Sequence, residues 1–155
     1  MLYLIGIVCT AVLIFFDQFT KRLAVLFLEP DVVHTFIDGF LEFKYDENSY
    51  PFFGLLPVGT WFFIICAVII PVVFIYFYIK PLFKGMRVFL VLGFAGAAGN
   101  IVNIFQHGCV VNFLRFEFIN VPIINLADVY IICGSLFLLI ITFIPNKKDK
   151  KSTAR

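Results

Sequence analysis

The chain has 155 residues, 62% of them hydrophobic and 14% charged, with 22 phenylalanines and a formal charge of +2. Soluble domains of this length are usually under half apolar and about a quarter charged. The composition therefore excludes an ordinary water-soluble fold and points to a lipid solvent, in which four spans of roughly 20 residues would use about half of one domain.

Apolar sequence runs from Leu2 to Phe16 and resumes at Leu23 to Leu28, after Asp17-Gln18-Phe19-Thr20-Lys21-Arg22. This predicts a first span over 3–28 with polar residues in its second half. The start lacks a positive n-region and a small-residue cleavage site, so the span is expected to be retained rather than removed as a signal. Residues 29–56 change character. Val32 to Ile37, then Asp38-Gly39, then Phe40 to Tyr45 predict a hairpin or curved strand pair about a turn. Further spans are expected over 57–79, with Pro71 as a kink, over 88–105, and over 123–144. A polar loop would fill 106–121 and a basic tail 146–155. The expected fold is an all-α membrane protein: one domain over 1–145, four transmembrane helices, and a small extracytoplasmic β-rich segment between spans one and two.

Lysine and arginine set the orientation. Lys80, Lys84 and Arg87 lie between spans two and three, and Lys147, Lys148, Lys150, Lys151 and Arg155 lie in the tail. Eight of the twelve basic residues thus share one side, which predicts both termini in the cytoplasm and segments 29–56 and 106–121 outside. Because those charges serve orientation, nothing supports nucleic-acid binding.

An ionisable group near the centre of a span costs about 2.5–3.5 kcal/mol on the insertion scale. Span one runs outward, and at a rise of about 1.5 Å per residue Asp17 lies about 22 Å past Leu2. Span three also runs outward and carries Asn100 and Asn103 at its outer end. Span four runs inward, which places Asn125 and Asp128 in its first two turns. Topology alone collects five polar residues from three helices at one depth. Helix capping or interhelical hydrogen bonding would account for any one of them, and Asp17 with Lys21 could be a self-neutralising i, i+4 pair. Five together suggest a site.

Other motifs carry less. Small residues at Gly93/Ala97 and Ala95/Gly99 fit close helix packing rather than phosphate binding. His34 and His107 have no second ligand at metal spacing, so neither metal nor cofactor is expected. The four cysteines show no C-x-x-C spacing, and three of them lie in apolar runs.

In sequence order, these residues resemble the lipoprotein signal peptidases, the signal peptidase II family. Asp17-Gln18-Phe19-Thr20-Lys21 is similar to the family's D-Q-x-T-K. Asn48 and Phe53-Gly54 match the outer positions of N-x-G-A-A-F-G. Gly99-Asn100-Ile101-Val102-Asn103-Ile104, then Gly108-Cys109-Val110-Val111-Asn112-Phe113, follow G-N-x-x-D-R-x-x-x-G-x-V-V-D-F without a gap. Pro122 to Asp128, with Ile131 and Gly134, follow P-x-F-N-x-A-D-x-x-I-x-x-G. The resemblance implies an aspartic peptidase of the bacterial inner membrane that removes signal peptides from diacylglyceryl-modified prolipoproteins at the outer leaflet. It implies a catalytic pair at positions 112 and 128, here Asn112 and Asp128. It also implies a binding frame of Asp17, Lys21, Asn48, Phe53, Gly54, Asn100, Asn103, Asn125 and Ala127.

This sequence departs from that pattern where the chemistry sits. Asn112 replaces one of the two aspartates, Asn103-Ile104 replaces Asp-Arg, and Tyr50-Pro51-Phe52 replaces Gly-Ala-Ala. Two close carboxylates share a proton because they cannot both ionise readily. An amide keeps the shape but has no usable basicity. Loss of general acid–base help typically costs about 10²–10⁴-fold in rate. The expectation is therefore a divergent, catalytically impaired member that still binds lipid-modified prolipoprotein signal peptides, as a monomer among membrane lipids. The alternatives are an active signal peptidase II and a resistance factor that binds a peptidase inhibitor. A rescuing carboxylate would be Glu117 or Asp46, and the spacing singles out neither.

Overall fold

The computed structural model describes residues 2–48, 60–83 and 85–143, with only the backbone of Leu2, of Asn48 and of residues 60–64. The tail over 146–155 and residues 50–54 lie outside the described residues. In chain order the elements are α1 (Leu2–Phe27), β1 (Val33–Ile37), β2 (Leu41–Asn48), α2 (Thr60–Ile79), α3 (Met86–His107), β3 (Val110–Phe116) and α4 (Leu126–Phe143).

Among the described residues three helices are long and apolar enough to cross a membrane: Tyr3–Phe27, Met86–His107 and Leu126–Phe143. In α2 the apolar stretch Ile65–Ile79 is shorter among the described residues, and the helix runs through Pro71. Large apolar side chains such as Phe15, Leu26, Val68 and Leu139 are exposed on the helices, as a lipid solvent requires.

The expected hairpin is present. Its turn is closed by the Phe40 N–H donating to the Ile37 carbonyl at 3.0 Å, across Asp38-Gly39. The segment read as a polar loop over 106–121 is different: most of it is a third strand. β3 pairs antiparallel with β2, giving a sheet in the order β1-β2-β3, so the β-rich part draws on both outer segments and not on the first alone. Sequence reading missed β3 because Asn112 and Arg115 interrupt its apolar character, while Val110, Val111 and Phe113 are buried.

The sheet sits where α1 and α3 end and α4 begins. Val111 and Phe113 of β3 pack on Ala24 of α1, with Leu28 and Phe43 against them. α3 stops at Gly108, whose φ of 74° is left-handed and whose N–H donates to the Ile104 carbonyl at 2.8 Å. β3 begins only two residues later, so its direction is fixed by this cap. At the opposite end Tyr78, Met86 and Leu90 form a second cluster. There the Arg87 guanidinium lies 5.5 Å from the Tyr3 ring centroid and 5.8 Å from that of Tyr78.

Close packing along α3 does fall on its small residues, but not on all those expected. A Cβ built on Gly96 would stand 2.4 Å from the Ala127 carbonyl oxygen, whereas one on Gly93 would meet only Phe89 of its own helix at 3.9 Å. Gly96 permits the α3–α4 approach and Gly93 does not limit it. Gly96→Ala is expected to destabilise the protein by about 1–3 kcal/mol through overpacking. Gly93→Ala should be neutral or stabilising through the gain in helix propensity. Unfolding of the two variants in one detergent distinguishes them.

Candidate active site

The start of α4 has backbone N–H groups to satisfy, and it satisfies them with the polar residues found in the sequence. Asn125 is the residue before the helix. Its Oδ1 accepts the Asp128 N–H at 3.0 Å, while Asp128 Oδ2 accepts the Asn125 N–H at 3.2 Å. This reciprocal arrangement is a capping box with Asn and Asp in place of the more frequent Ser and Glu. The Ala127 N–H is taken by a distant group: it donates to Asp17 Oδ1 at 2.9 Å, 110 residues away in sequence. Ala127 itself is fully buried and packs beneath α3.

Asp17 is fully buried and its second oxygen is equally occupied. Oδ2 accepts from Lys21 Nζ at 2.9 Å and from Gln18 Nε2 at 2.8 Å, and Gln18 Nε2 also donates to the Gly99 carbonyl at 2.8 Å. A Cβ at position 99 would stand 2.5 Å from Asp17 Oδ2, so the glycine leaves the space in which the carboxylate lies. The Asp17–Lys21 pair is thus more than a self-neutralising i, i+4 contact, since it ties α1 to α3 and α4.

Lys21 passes the network on, donating to Asn100 Oδ1 at 2.7 Å. Asn100 Nδ2 donates to Asp128 Oδ1 at 2.9 Å, so both oxygens of Asp128 accept N–H bonds. Asn125 Nδ2 donates to Asn112 Oδ1 at 2.8 Å, with longer approaches to Asn100 Oδ1 at 3.2 Å and the Val111 carbonyl at 3.3 Å. Among the described residues no hydrogen bond joins Asn112 directly to Asp128; Asn125 links them. Asn103 stands one step outside, fully buried, and its Oδ1 accepts the Val111 N–H at 2.7 Å. It therefore fixes the strand that presents Asn112.

Of the site residues expected from sequence, Asp17, Lys21, Asn100, Asn112, Asn125, Ala127 and Asp128 meet in this one network, with Asn103 supporting it. Asn48 is the Cα partner of Val110 on the neighbouring strand, two positions from Asn112. Phe53 and Gly54 lie outside the described residues. Sequence reading did not assign a role to Gln18, although it stands within the Asp17 motif, and read Gly99 as a helix-packing position rather than as room for the Asp17 carboxylate.

Cys109 is also near, buried between the α3 cap and β3. Burial pushes its thiol up, with the Glu47 carboxylate adding to the effect. At neutral pH it is a packed thiol, not a nucleophile. Gln18, Lys21 and Asn103 line a cavity of about 520 Å³ together with Arg22 and His107, which places the Arg22 guanidinium beside the network.

The sequence model of the family described as Signal peptidase (SPase) II matches residues 9–144. The chain belongs to the signal peptidase II family. It is 37% identical over 134 residues to a lipoprotein signal peptidase of Caldanaerobacter subterraneus subsp. tengcongensis, covering 86% of this chain and 92% of that one. Identity to the lipoprotein signal peptidase of Enterococcus faecalis is 33% over 144 residues, covering 92% and 89%. A solved structure described as a bacterial membrane enzyme, determined by the in meso method at 2.3 Å, superposes with a TM-score of 0.81. It is 27% identical and covers 97% of this chain and 91% of the other. A second, at 1.9 Å, gives 0.80 at 28% identity, covering 91% and 94%. This signal peptidase II family member is therefore a membrane protein of an aspartic peptidase family, with four helices and a small antiparallel sheet.

The buried ion pair gives a test of the network. Asp17→Ala would leave the Lys21 ammonium without its counter-charge and the Ala127 N–H without an acceptor. Removing one partner of a buried pair typically costs about 3–5 kcal/mol. The variant is expected to lose that stability in denaturant unfolding, and adding Lys21→Met to Asp17→Ala should recover part of it.

Proposed function

We propose that this protein spans the bacterial inner membrane four times with both termini in the cytoplasm, and that it binds the signal peptides of diacylglyceryl-modified prolipoproteins at the outer leaflet. Hydrolysis at its Asn112–Asp128 pair is impaired. Membership of the family supports the substrate class, and the asymmetry of basic residues supports the orientation. The polar network of Asp17, Lys21, Asn100, Asn125 and Asp128 would frame the scissile region, with the neighbouring cavity available to the polar part of the lipid-modified cysteine.

One observation carries the impaired reading. At position 112 an amide oxygen accepts the Asn125 N–H at 2.8 Å, a bond that a carboxylate oxygen would accept equally well. The framework therefore tolerates Asn112, while the proton traffic of a carboxylate pair is lost at that position. A water attacking the scissile carbonyl needs one group to take its proton and another to supply a proton to the departing nitrogen. Asn112 can donate and accept hydrogen bonds but can do neither of these.

The reading is tested with purified protein in nanodiscs and a diacylglyceryl prolipoprotein. The precursor should raise the melting temperature, and turnover should lie about 10²–10⁴-fold below that of a family member with both aspartates. Asn112→Asp should raise turnover without changing the melting shift. A precursor that leaves melting unmoved would remove the binding reading. Unimpaired turnover that Asn112→Asp does not increase would remove the impairment.

A further inference from the structure

β2 and β3 do not run in continuous register. Phe43 faces Leu114, but the next recorded partners are Asp46 and Asn112, so β2 advances three residues while β3 advances two. The extra residue is a β-bulge. In an unbroken ladder Tyr45 would face Asn112, and Asp46 would face Val111 on the opposite side of the sheet, because side chains alternate faces at every residue. The bulge instead sets Asp46 directly opposite Asn112.

Residues directly opposite in an antiparallel pair share a face, with Cβ atoms about 4.5–5.5 Å apart. A carboxylate thus stands beside the position at which the chain carries an amide. Its neighbours on β2 have structural partners: Glu42 pairs with Arg115 at 3.4 Å, and Glu47 accepts from the Tyr45 hydroxyl. The Asp46 side chain is exposed and makes no hydrogen bond or ion pair among the described residues. The other acidic residue of the outer segments considered from sequence, Glu117, lies five residues beyond Asn112. At about 3.3 Å per residue that is roughly 16 Å along the strand direction, too far to act with Asp128.

We propose that Asp46 supplies the second carboxylate of the site, so that whatever peptide hydrolysis this protein performs runs through Asp46 and Asp128 rather than through position 112. This rests on the binding of prolipoprotein signal peptides proposed above. In the reaction one carboxylate of the pair takes a proton from water as the water oxygen bonds to the scissile carbonyl carbon. The proton held by the other carboxyl goes to the carbonyl oxygen. As the tetrahedral intermediate collapses the C–N bond breaks, the nitrogen takes a proton from the pair, one of the two hydroxyls on the former carbonyl carbon returns its proton to the pair, and the products are a carboxylic acid and an amine from peptide plus one water. Asn112, whose oxygen is held by Asn125, retains amide hydrogens that can donate to the carbonyl oxygen as negative charge grows there.

The test compares wild type, Asp46→Asn, Asn112→Asp and the double variant, each assayed for precursor cleavage and for the melting shift that the precursor produces. Wild type is expected to cleave slowly, and Asp46→Asn to lower that rate by about 10²-fold or more while the melting shift persists. In the Asn112→Asp background the same substitution should cost much less, because the carboxylate at 112 takes the place of Asp46. Three outcomes overturn the proposal: wild type with no measurable cleavage, cleavage insensitive to Asp46→Asn, or an equal loss in both backgrounds, which would mark Asp46 as a structural residue. Absence of the melting shift in wild type would instead overturn the binding on which the proposal rests.

Discussion

The carboxylate of Asp17 is hydrogen-bonded at both oxygens: to Lys21 and Gln18 on its own helix, and to the Ala127 N–H at the start of α4. It lies in the space left by Gly99 of α3. A buried charge is tolerable only when it is paired and fully hydrogen-bonded; these partners come from α1 and α4, and α3 leaves the space at Gly99. The demand of one charge for partners thus fixes how α1, α3 and α4 meet. It also sets the depth at which Asp128 stands, because Ala127 and Asp128 are consecutive in the first turn of α4.

From that anchor the polar groups form a relay in which amides do most of the joining. Lys21 holds Asn100, Asn100 holds Asp128, and Asn125 holds both Asp128 and Asn112. An amide has a donor end and an acceptor end, so it can link a cation to a carboxylate without adding charge to a low-dielectric site. Asn103 and Asn112, which stand where the resemblance implies aspartates, follow the same logic. Asn103 accepts from the Val111 N–H and Asn112 from Asn125 through an oxygen that either residue type possesses. An amide at each position keeps the acceptor and carries no charge, so the fold does not depend on a carboxylate there.

The bulge in β2 gives the sheet a role beyond covering the helix ends. Natural sheets use an extra residue to re-aim side chains near functional sites, and here it decides which residue of β2 faces Asn112. On the proposed pairing, the amide at position 112 of β3 is answered by a carboxylate level with it on β2, so the two carboxylates are Asp46 and Asp128. The network that caps α4 includes Asp128 but not Asp46, so the second carboxylate can change place without disturbing the framework.

Much of this was legible in the chain itself. Hydropathy and run length fixed the apolar helices, since crossing a lipid layer needs a certain length of apolar residues whatever their neighbours. The rise per residue along a helix placed Asp17, Asn100, Asn125 and Asp128 at a common depth, and Asp38-Gly39 marked its turn through local backbone preference. Other features were not legible. The third strand was obscured because its polar residues are satisfied by partners far away in sequence, and Gly96 rather than Gly93 proved to limit the approach of α3 to α4, which depends on how the helices are rotated. The pairing of Asp46 with Asn112 was hidden for the same reason. Helical depth and local turns follow from bonds between near neighbours, and the sequence determines them alone. Strand register, helix rotation and the partner of each buried charge are set by contacts between segments dozens of residues apart, and only the tertiary structure decided them.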